Sequence, residues 1–371
     1  MITFNSVSKR FADGTTAVDS LSLEVPDGEI AVFVGPSGCG KTTTLRMVNR
    51  MIEPTDGVIE VDGKNILKED PAELRRRIGY VIQQIGLFPH RTIRENIGTV
   101  PGLVGWDKKR TQERVDELIE VVGLQEDSGD RYPHELSGGQ QQRVGVARAL
   151  AVDPPIMLMD EPFGAVDPIV RTRLQEEFLR LQQEVQKTIV FVTHDIDEAI
   201  KMGDRIALLS QGGHLEQYAT PEEMLASPAN EFVADFLGGE RGLKQLALIS
   251  VSDVDAQSGP VVTLEDTRAH ASEVAGDANT DWVVVVDDAR HLRGWVSIEE
   301  LNGQRNVGEG NIHAFSAEVK SGDSLRTALN AMVTSRTGVA ARVGEGGIYE
   351  GIVTHRLINE ELSKPAQHTP D

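Results

Sequence analysis

The stretch Gly35-Pro36-Ser37-Gly38-Cys39-Gly40-Lys41-Thr42-Thr43 constrains this 371-residue chain more than any other. Before it runs Ile30-Ala31-Val32-Phe33-Val34, wholly apolar, rich in β-branched residues and too short for a helix, so a buried strand is expected. After it, Leu45-Arg46-Met47-Val48-Asn49-Arg50 has helical spacing and no breaker. A glycine-rich turn between a buried strand and a helix, ending in Lys-Thr, is what a phosphate-binding loop requires. Its backbone N–H groups can converge on a phosphate at the helix N-terminus, where the dipole favours negative charge. In that setting Lys41 reaches the β- and γ-phosphates and the Thr42 hydroxyl holds Mg²⁺. The chain is therefore expected to bind a nucleoside triphosphate.

Such a length suggests two or three domains. Acidic residues number 58 against 37 Lys and Arg, a net charge of −21. That balance disfavours nucleic acid and anionic lipid as partners, unless a local basic patch overrides it. No window approaches 18 consecutive apolar residues, so no membrane span is expected. Met1-Ile2-Thr3-Phe4-Asn5 has neither the basic nor the apolar region of a secretion signal. The single Cys39 excludes an internal disulfide framework and fits a reducing cytoplasm. With no His close in sequence, Cys39 reads as a small spacer and not as a catalytic thiol.

Residues 1–30 alternate apolar and polar around turns at Asp13-Gly14 and Pro26-Asp27-Gly28, the pattern of antiparallel strands. Phe11, in the connecting segment, is either a core residue or an aromatic that stacks on an adenine ring. Residues 57–64 read as a hairpin, and Arg75-Arg76-Arg77 as a solvated helix face leading into the strand Ile78-Gly79-Tyr80-Val81-Ile82. Gln83 follows that strand, where α/β sheets present groups to a ligand crevice; it is a candidate for metal or water contact, or else a surface amide. Residues 107–123 form an amphipathic pattern with Val115, Leu118, Ile119 and Val122 on one stripe.

Next, Leu136-Ser137-Gly138-Gly139-Gln140-Gln141-Gln142-Arg143 places a Ser cap and two glycines ahead of a helical run at 144–151, a second anion-binding helix start. Two phosphate cradles for one nucleotide make sense when one copy's second cradle caps the nucleotide held by another copy's first. Ile156-Met157-Leu158-Met159 ends in Asp160-Glu161, a buried strand delivering two acids to the crevice. Asp160 suits the Mg²⁺ shell, and Glu161 suits orienting or deprotonating the attacking water. A helix over 168–184 leads to the strand Thr188-Ile189-Val190-Phe191-Val192-Thr193, which ends at His194-Asp195. His194 is a structural histidine or one that hydrogen-bonds the γ-phosphate. A strand at 205–209 and the turn Gln211-Gly212-Gly213-His214 close the sheet, and a helix at 221–227 and the segment 230–237 end the first domain.

Composition shifts at Gly238-Gly239-Glu240-Arg241-Gly242, so a linker is expected over 238–245. Beyond it, Val286, Gly294, Val296 and Ser297 recur as Val343, Gly351, Val353 and Thr354, each 57 residues on. Both copies read strand, turn, strand, Gly-x-Val-Ser/Thr, then a helical segment with Glu-Glu-Leu. Each is too small to bury a core alone, so the two, over about 246–303 and 311–363 of the tail 246–371, should pair face to face. From residue 241 on, 12 Lys and Arg face 19 Asp and Glu, with no evident basic patch.

On residues 35–42, 136–143 and the strand ending at Asp160-Glu161, the first 237 residues or so resemble the ATPase subunit of an ABC transporter. The resemblance implies an α/β P-loop NTPase fold, with a RecA-like core, an antiparallel β subdomain and a helical subdomain over about 84–150. Phe11 matches the aromatic A-loop, Gln83 the Q-loop, Ser137-Gly138-Gly139-Gln140 the signature motif and His194 the switch histidine. Gly164-Ala165-Val166-Asp167 stands where the D-loop usually reads Ser-Ala-Leu-Asp, and it keeps Asp167.

Lys9-Arg10-Phe11, the run Gly79-Tyr80-Val81-Ile82-Gln83-Gln84-Ile85-Gly86-Leu87-Phe88-Pro89-His90 and residues 236–248 look like the quaternary-amine uptake subgroup, importers of glycine betaine, choline, carnitine or proline betaine. ATPases of that subgroup commonly carry a C-terminal pair of α+β CBS modules, which the repeat resembles. Where adenosyl-binding CBS modules often have Asp, this chain has Glu300 and Leu357.

The resemblance further implies ATP and Mg²⁺ as cofactors, with Thr42, Asp160 and Gln83 around the metal and Glu161, His194 and Gln83 as catalytic groups. Two copies would sandwich two ATP molecules, each between one copy's Lys41 loop and the other's Ser137 and Gly139. Phe88 and its neighbours would face a transmembrane permease, served by an extracytoplasmic solute-binding protein, which sets this chain on the cytoplasmic face of the membrane with no nucleic-acid partner. The tail would act as an autoinhibitory sensor of ionic strength or a small ligand, or as a dimer-stabilising appendage. Two other readings share the catalytic motifs: a sugar or polyamine importer, which usually ends in a small β-barrel, and a soluble ABC ATPase working on ribosomes or DNA.

Overall fold

A computed structural model describes residues 1–82, 86–164 and 167–364, and the chain divides into two compact units, Met1–Leu237 and Gly238–Asp371. The first unit opens with β1 (Ile2–Arg10), β2 (Thr16–Val25), β3 (Ile30–Val34) and α1 (Lys41–Val48). There follow β4 (Asp56–Val61), β5 (Lys64–Asn65), α2 (Pro71–Arg76) and β6 (Ile78–Val81). A helical stretch comprises α3 (Ile93–Ile97), α4 (Thr99–Leu103), α5 (Lys108–Val121) and α6 (Gly138–Leu150). The unit is completed by β7 (Ile156–Asp160), α7 (Pro168–Val185), β8 (Thr188–Val192), α8 (Ile196–Met202), β9 (Arg205–Ser210), β10 (His214–Ala219), α9 (Pro221–Ala226) and α10 (Glu231–Leu237).

Two sheets result. One is antiparallel, in the order β2-β1-β4-β5, as the alternation over residues 1–30 and the hairpin predict. The other runs β10-β9-β3-β8-β7-β6, parallel except for β10. Every residue of β3, β7 and β8 is buried, which is why each reads as a run of four or five apolar residues. One core joins Phe4, Leu21 and Ile59 of the antiparallel sheet to Leu45 and Met47 of α1 and to Phe33 and Val190 of the parallel sheet.

Register is what positions the site. Phe33 and Asp160 both pair with Val192, and Val81 pairs with Met159. The C-terminal ends of β3, β8, β7 and β6 therefore lie level along one edge. That edge is where open α/β sheets hold their ligands.

Three local expectations are corrected. The turn at residues 211–214 does not end the sheet, because β10 pairs antiparallel with β9; it is a half-buried edge strand, and its apolar alternation is correspondingly weak. Arg75 and Arg77 are engaged and not merely solvated. Arg75 donates to the carbonyls of Asn49 (3.1 Å) and Arg50 (2.6 Å) beyond α1, and Arg77 pairs with Glu69. The expected linker is helical from Arg241, for a helix α11 (Arg241–Leu248) buries Leu246 in the core of the second unit.

After α11 the second unit holds β11 (Val261–Thr263), α12 (Arg268–Asp277), β12 (Trp282–Val286) and β13 (Leu292–Ser297), then β14 (Glu318–Lys320), α13 (Leu325–Val333), β15 (Ala340–Val343), β16 (Tyr349–Val353) and α14 (His355–Leu362). β11-β12-β13 and β14-β15-β16 are separate three-stranded sheets of the same topology, a parallel pair and then an antiparallel one. The 57-residue spacing is visible in space: Trp282, Val284 and Trp295 pack in one cluster with their counterparts Val339, Ala341 and Ile352. The halves thus face each other across an apolar interface.

They are not contiguous in sequence, contrary to the expected boundaries at 246–303 and 311–363. Leu246, Val251 and Val254 pack with Val319, Leu325 and Leu357 of the second half. Gln257 bridges to Ile352, and His313 to Trp295, so each half's leading segment docks on the other's last strand. Nor is the Glu299-Glu300-Leu301 segment helical like its counterpart in α14; it is a turn. Glu300 there accepts from the Ser297 N–H and meets Nε2 of His313 at 2.9 Å.

Candidate functional site

The site starts from the loop after β3. Gly35 (φ 152°) and Gly40 (φ 102°) bring the backbone so close to neighbouring strands that a Cβ would lie 2.1 Å from the Leu209 carbonyl and 2.0 Å from that of Ala17. Only glycine fits. Gly40 also begins α1, which has no side-chain cap at its start. Lys41 is buried, and its Nζ donates to the carbonyls of Gly35 (2.6 Å) and Pro36 (3.0 Å). Cys39 is fully buried, as a spacer should be, with Sγ 3.6 Å from that ammonium. Ser37 and Gly38 are exposed at the rim.

From β7 come the acids. Thr42 Oγ1 donates to Asp160 Oδ1 at 2.9 Å, joining the first turn of α1 to the end of β7. Burial pushes the Asp160 carboxyl above its usual value, against the pull of the Thr42 hydroxyl and the cationic Arg46. Glu161 follows in the left-handed region, at φ 45°. This conformation is uncommon for a non-glycine residue and concentrates at functional sites. It is held by the Glu161 N–H bonding to the Val192 carbonyl (2.9 Å) and by the Gly164 N–H bonding to the Glu161 carbonyl (3.1 Å).

β8 adds His194, whose Nδ1 lies 3.3 Å from Glu161 Oε1. Ser37, Gly38, Gly40, Lys41, Thr42, Thr43 and Glu161 line one cleft together with Ala17. Ala17 is a wall that nothing in its residue type announces. Thr42 and Asp160 set two hard oxygens side by side, a donor set that fits Mg²⁺.

The remaining candidates lie elsewhere. Phe11 is 40% exposed on the turn after β1, with Lys9 Nζ 5.5 Å from its ring centroid, so it is not a core residue. Ser137 caps α6 in a reciprocal box, its Oγ accepting from the Gln140 N–H (3.3 Å) while the Gln140 side chain accepts from the Ser137 N–H (2.9 Å). This start of α6, with Gly138 and Gly139, contributes no residue to the described lining of the cleft. Asp167 caps α7, accepting from the Ile169 N–H at 3.0 Å. Gln83 lies outside the described residues.

Known proteins match this arrangement. The model of the family described as ABC transporter matches residues 18–164. The glycine betaine/carnitine/choline transport ATP-binding protein OpuCA of Bacillus subtilis is 47% identical over 358 residues, covering 95% of this chain and 94% of the relative. The osmoprotectant import ATP-binding protein OsmV of Salmonella typhimurium is 46% identical, covering 98% and 96%. Among solved structures, the dimeric MJ0796, a bacterial ABC transporter cassette, is 35% identical with a TM-score of 0.55, covering 60% of this chain and 99% of that one. A relative nearly half identical along almost its whole length shares the fold. The chain belongs to the ABC transporter family, as one of its ATP-hydrolysing, ATP-binding subunits.

Proposed function

We propose that this chain energises the import of a quaternary-amine osmoprotectant (glycine betaine, choline, carnitine or proline betaine) through a separate membrane permease, from the cytoplasmic face. The observation that carries the reading is the meeting of Lys41, Thr42, Asp160, Glu161 and His194 at the level ends of β3, β7 and β8. The substrate class rests on the two relatives, both named for such transport. Among the described residues no helix is long and apolar enough to cross a membrane.

In this reading the loop N–H groups and Lys41 bind the triphosphate, and exposed Phe11 stacks on the adenine. Thr42 and Asp160, with Gln83, would hold Mg²⁺, which when bound neutralises phosphate charge. Glu161 orients the attacking water and takes its proton, while His194 bonds the γ-phosphate and steadies the Glu161 carboxylate. Because the signature residues Ser137 to Gln140 are absent from this chain's own described cleft, a second copy supplies them, with Asp167 at the junction. The dimeric cassette among the similar structures supports that assembly.

The permease docks at the loop of Phe88, which is 39% exposed. Asn96 holds that loop rigid by accepting from the Phe88 N–H (2.7 Å) and donating to three carbonyls of the loop. Two three-stranded sheets, in place of a β-barrel, make up the tail, which favours paired CBS-type regulatory modules over a sugar or polyamine importer. Glu161→Gln tests the chemistry. ATP binding should persist while turnover falls by about 10²–10⁴-fold; near-normal hydrolysis would remove Glu161 from the role of base.

A further inference from the structure

Glu198, in the first turn of α8, is a carboxyl with no part in the hydrolysis described above. It is 7% exposed, and its neighbours Gln175 and Thr193 are 5% and 2% exposed. A carboxyl so buried costs folding free energy unless its oxygens are hydrogen-bonded. Both partners come from elements that flank the cleft. Gln175 Nε2, two turns into α7, donates to Glu198 Oε1 at 2.9 Å. The Thr193 hydroxyl, directly after β8, bonds the same carboxyl. Burial pushes the carboxyl above its usual value, and these two bonds oppose the push. With its proton directed at Glu198, Thr193 Oγ1 keeps lone pairs free and accepts from the Asp195 N–H at 3.1 Å. That closes a Ser/Thr-type turn with His194 at its centre.

We infer that Glu198 is a positioning residue for ATP hydrolysis, bracing the turn that aims His194 against α7; this rests on the reading of His194 as the γ-phosphate contact. The His194 side chain is 61% exposed, so it has little packing of its own to fix it. Its direction is set by the turn, and the turn by Glu198. A second tie holds the same two helices together, for Lys201 Nζ reaches the Thr172 carbonyl of α7 at 3.4 Å. Because Asp167 caps α7, the histidine is referenced to the helix that starts at the junction proposed for two copies. A histidine released from this brace would still lie near Glu161 but would miss the phosphate for part of the time, and small misplacements of this kind slow the chemical step.

Steady-state ATP hydrolysis by the full-length chain tests this. Glu198→Met keeps the length of the side chain and removes both acceptors. Its kcat should fall about tenfold or more while KM for ATP changes less than about twofold. Glu198→Gln should keep most of the rate, since its carbonyl accepts from Thr193 and its amide donates to Gln175 once that amide turns over. In a His194→Ala chain, already slowed, adding Glu198→Met should cost nothing further. Full kcat in Glu198→Met, equal loss in the Met and Gln variants, or a further loss in the His194→Ala chain would each overturn the inference while leaving the role of His194 standing. Normal turnover by His194→Ala alone would instead remove His194 from the chemistry, and the inference with it. Should Glu198→Met not fold, Gln175→Met breaks the same brace from the α7 side, and an unchanged kcat there would overturn the inference equally.

Discussion

Thr42 Oγ1 donates to Asp160 Oδ1 across 2.9 Å, although 118 positions separate the two residues in the chain. The bond ties the phosphate-binding loop to the strand that carries the acids. Two oxygens are thereby placed where a hard cation needs them.

Replacing Thr42 by Val keeps the side chain's size and removes the oxygen. Steady-state assays should show Mg²⁺-dependent ATP turnover falling about 10²–10³-fold, while Thr42→Ser retains most of it. Equal loss in both variants would mean that packing at this position, and not the hydroxyl, is what matters.

Asp160 makes a prediction about stability. Its folded pKa lies above the usual 3.8 because burial penalises the charged form. The folded state thus binds the proton more tightly than the unfolded state, and stability is lost as pH rises from 3.8 through the folded value. Above that value the penalty is complete. Asp160→Asn should therefore raise the melting temperature of the nucleotide-free chain by a few degrees at pH 7, with the gain vanishing in acid, even as Mg²⁺-dependent turnover is abolished. A lower melting temperature at pH 7 would show that the Thr42 and Arg46 interactions outweigh desolvation.

Assembly is testable through the exposed start of α6. With ATP, the hydrolysis-slow Glu161→Gln chain should elute as a dimer in size-exclusion chromatography. Adding Ser137→Arg, which sets a bulky cation at the position proposed to cap the partner's nucleotide, should return it to monomer while leaving ATP binding to each copy. Dimers of the double variant would contradict the composite site.

For the second unit, a chain ending at Leu237, where the first unit ends, should support transport that no longer responds to salt concentration. A salt response equal to that of the full chain in reconstituted uptake assays would leave the tail a structural role only.

Continuous local patterns carried most of what could be read from the amino-acid order. β3, β7 and β8 are buried along their whole length, so a run of four or five apolar residues announced each of them, and the residues just after each run named the site candidates. Ser137 and its two glycines marked a helix start because capping chemistry is local. The 57-residue repeat showed two equivalent units for the same reason.

Contacts between distant segments left no such mark. Ala17 walls the cleft because β2 lies beside the loop, and no property of alanine says so. Arg75 looked solvated until α2 placed its guanidinium against the carbonyls beyond α1. Helix α11 read as a linker because its single buried residue, Leu246, finds most of its core among strands and helices some 70 or more positions later. The order of residues alone named the candidate groups Lys41, Thr42, Asp160, Glu161 and His194. The sheet's register decided that they meet, since Val192 pairs with both Phe33 and Asp160, and hydrogen bonding between strands is a relation that no single segment contains.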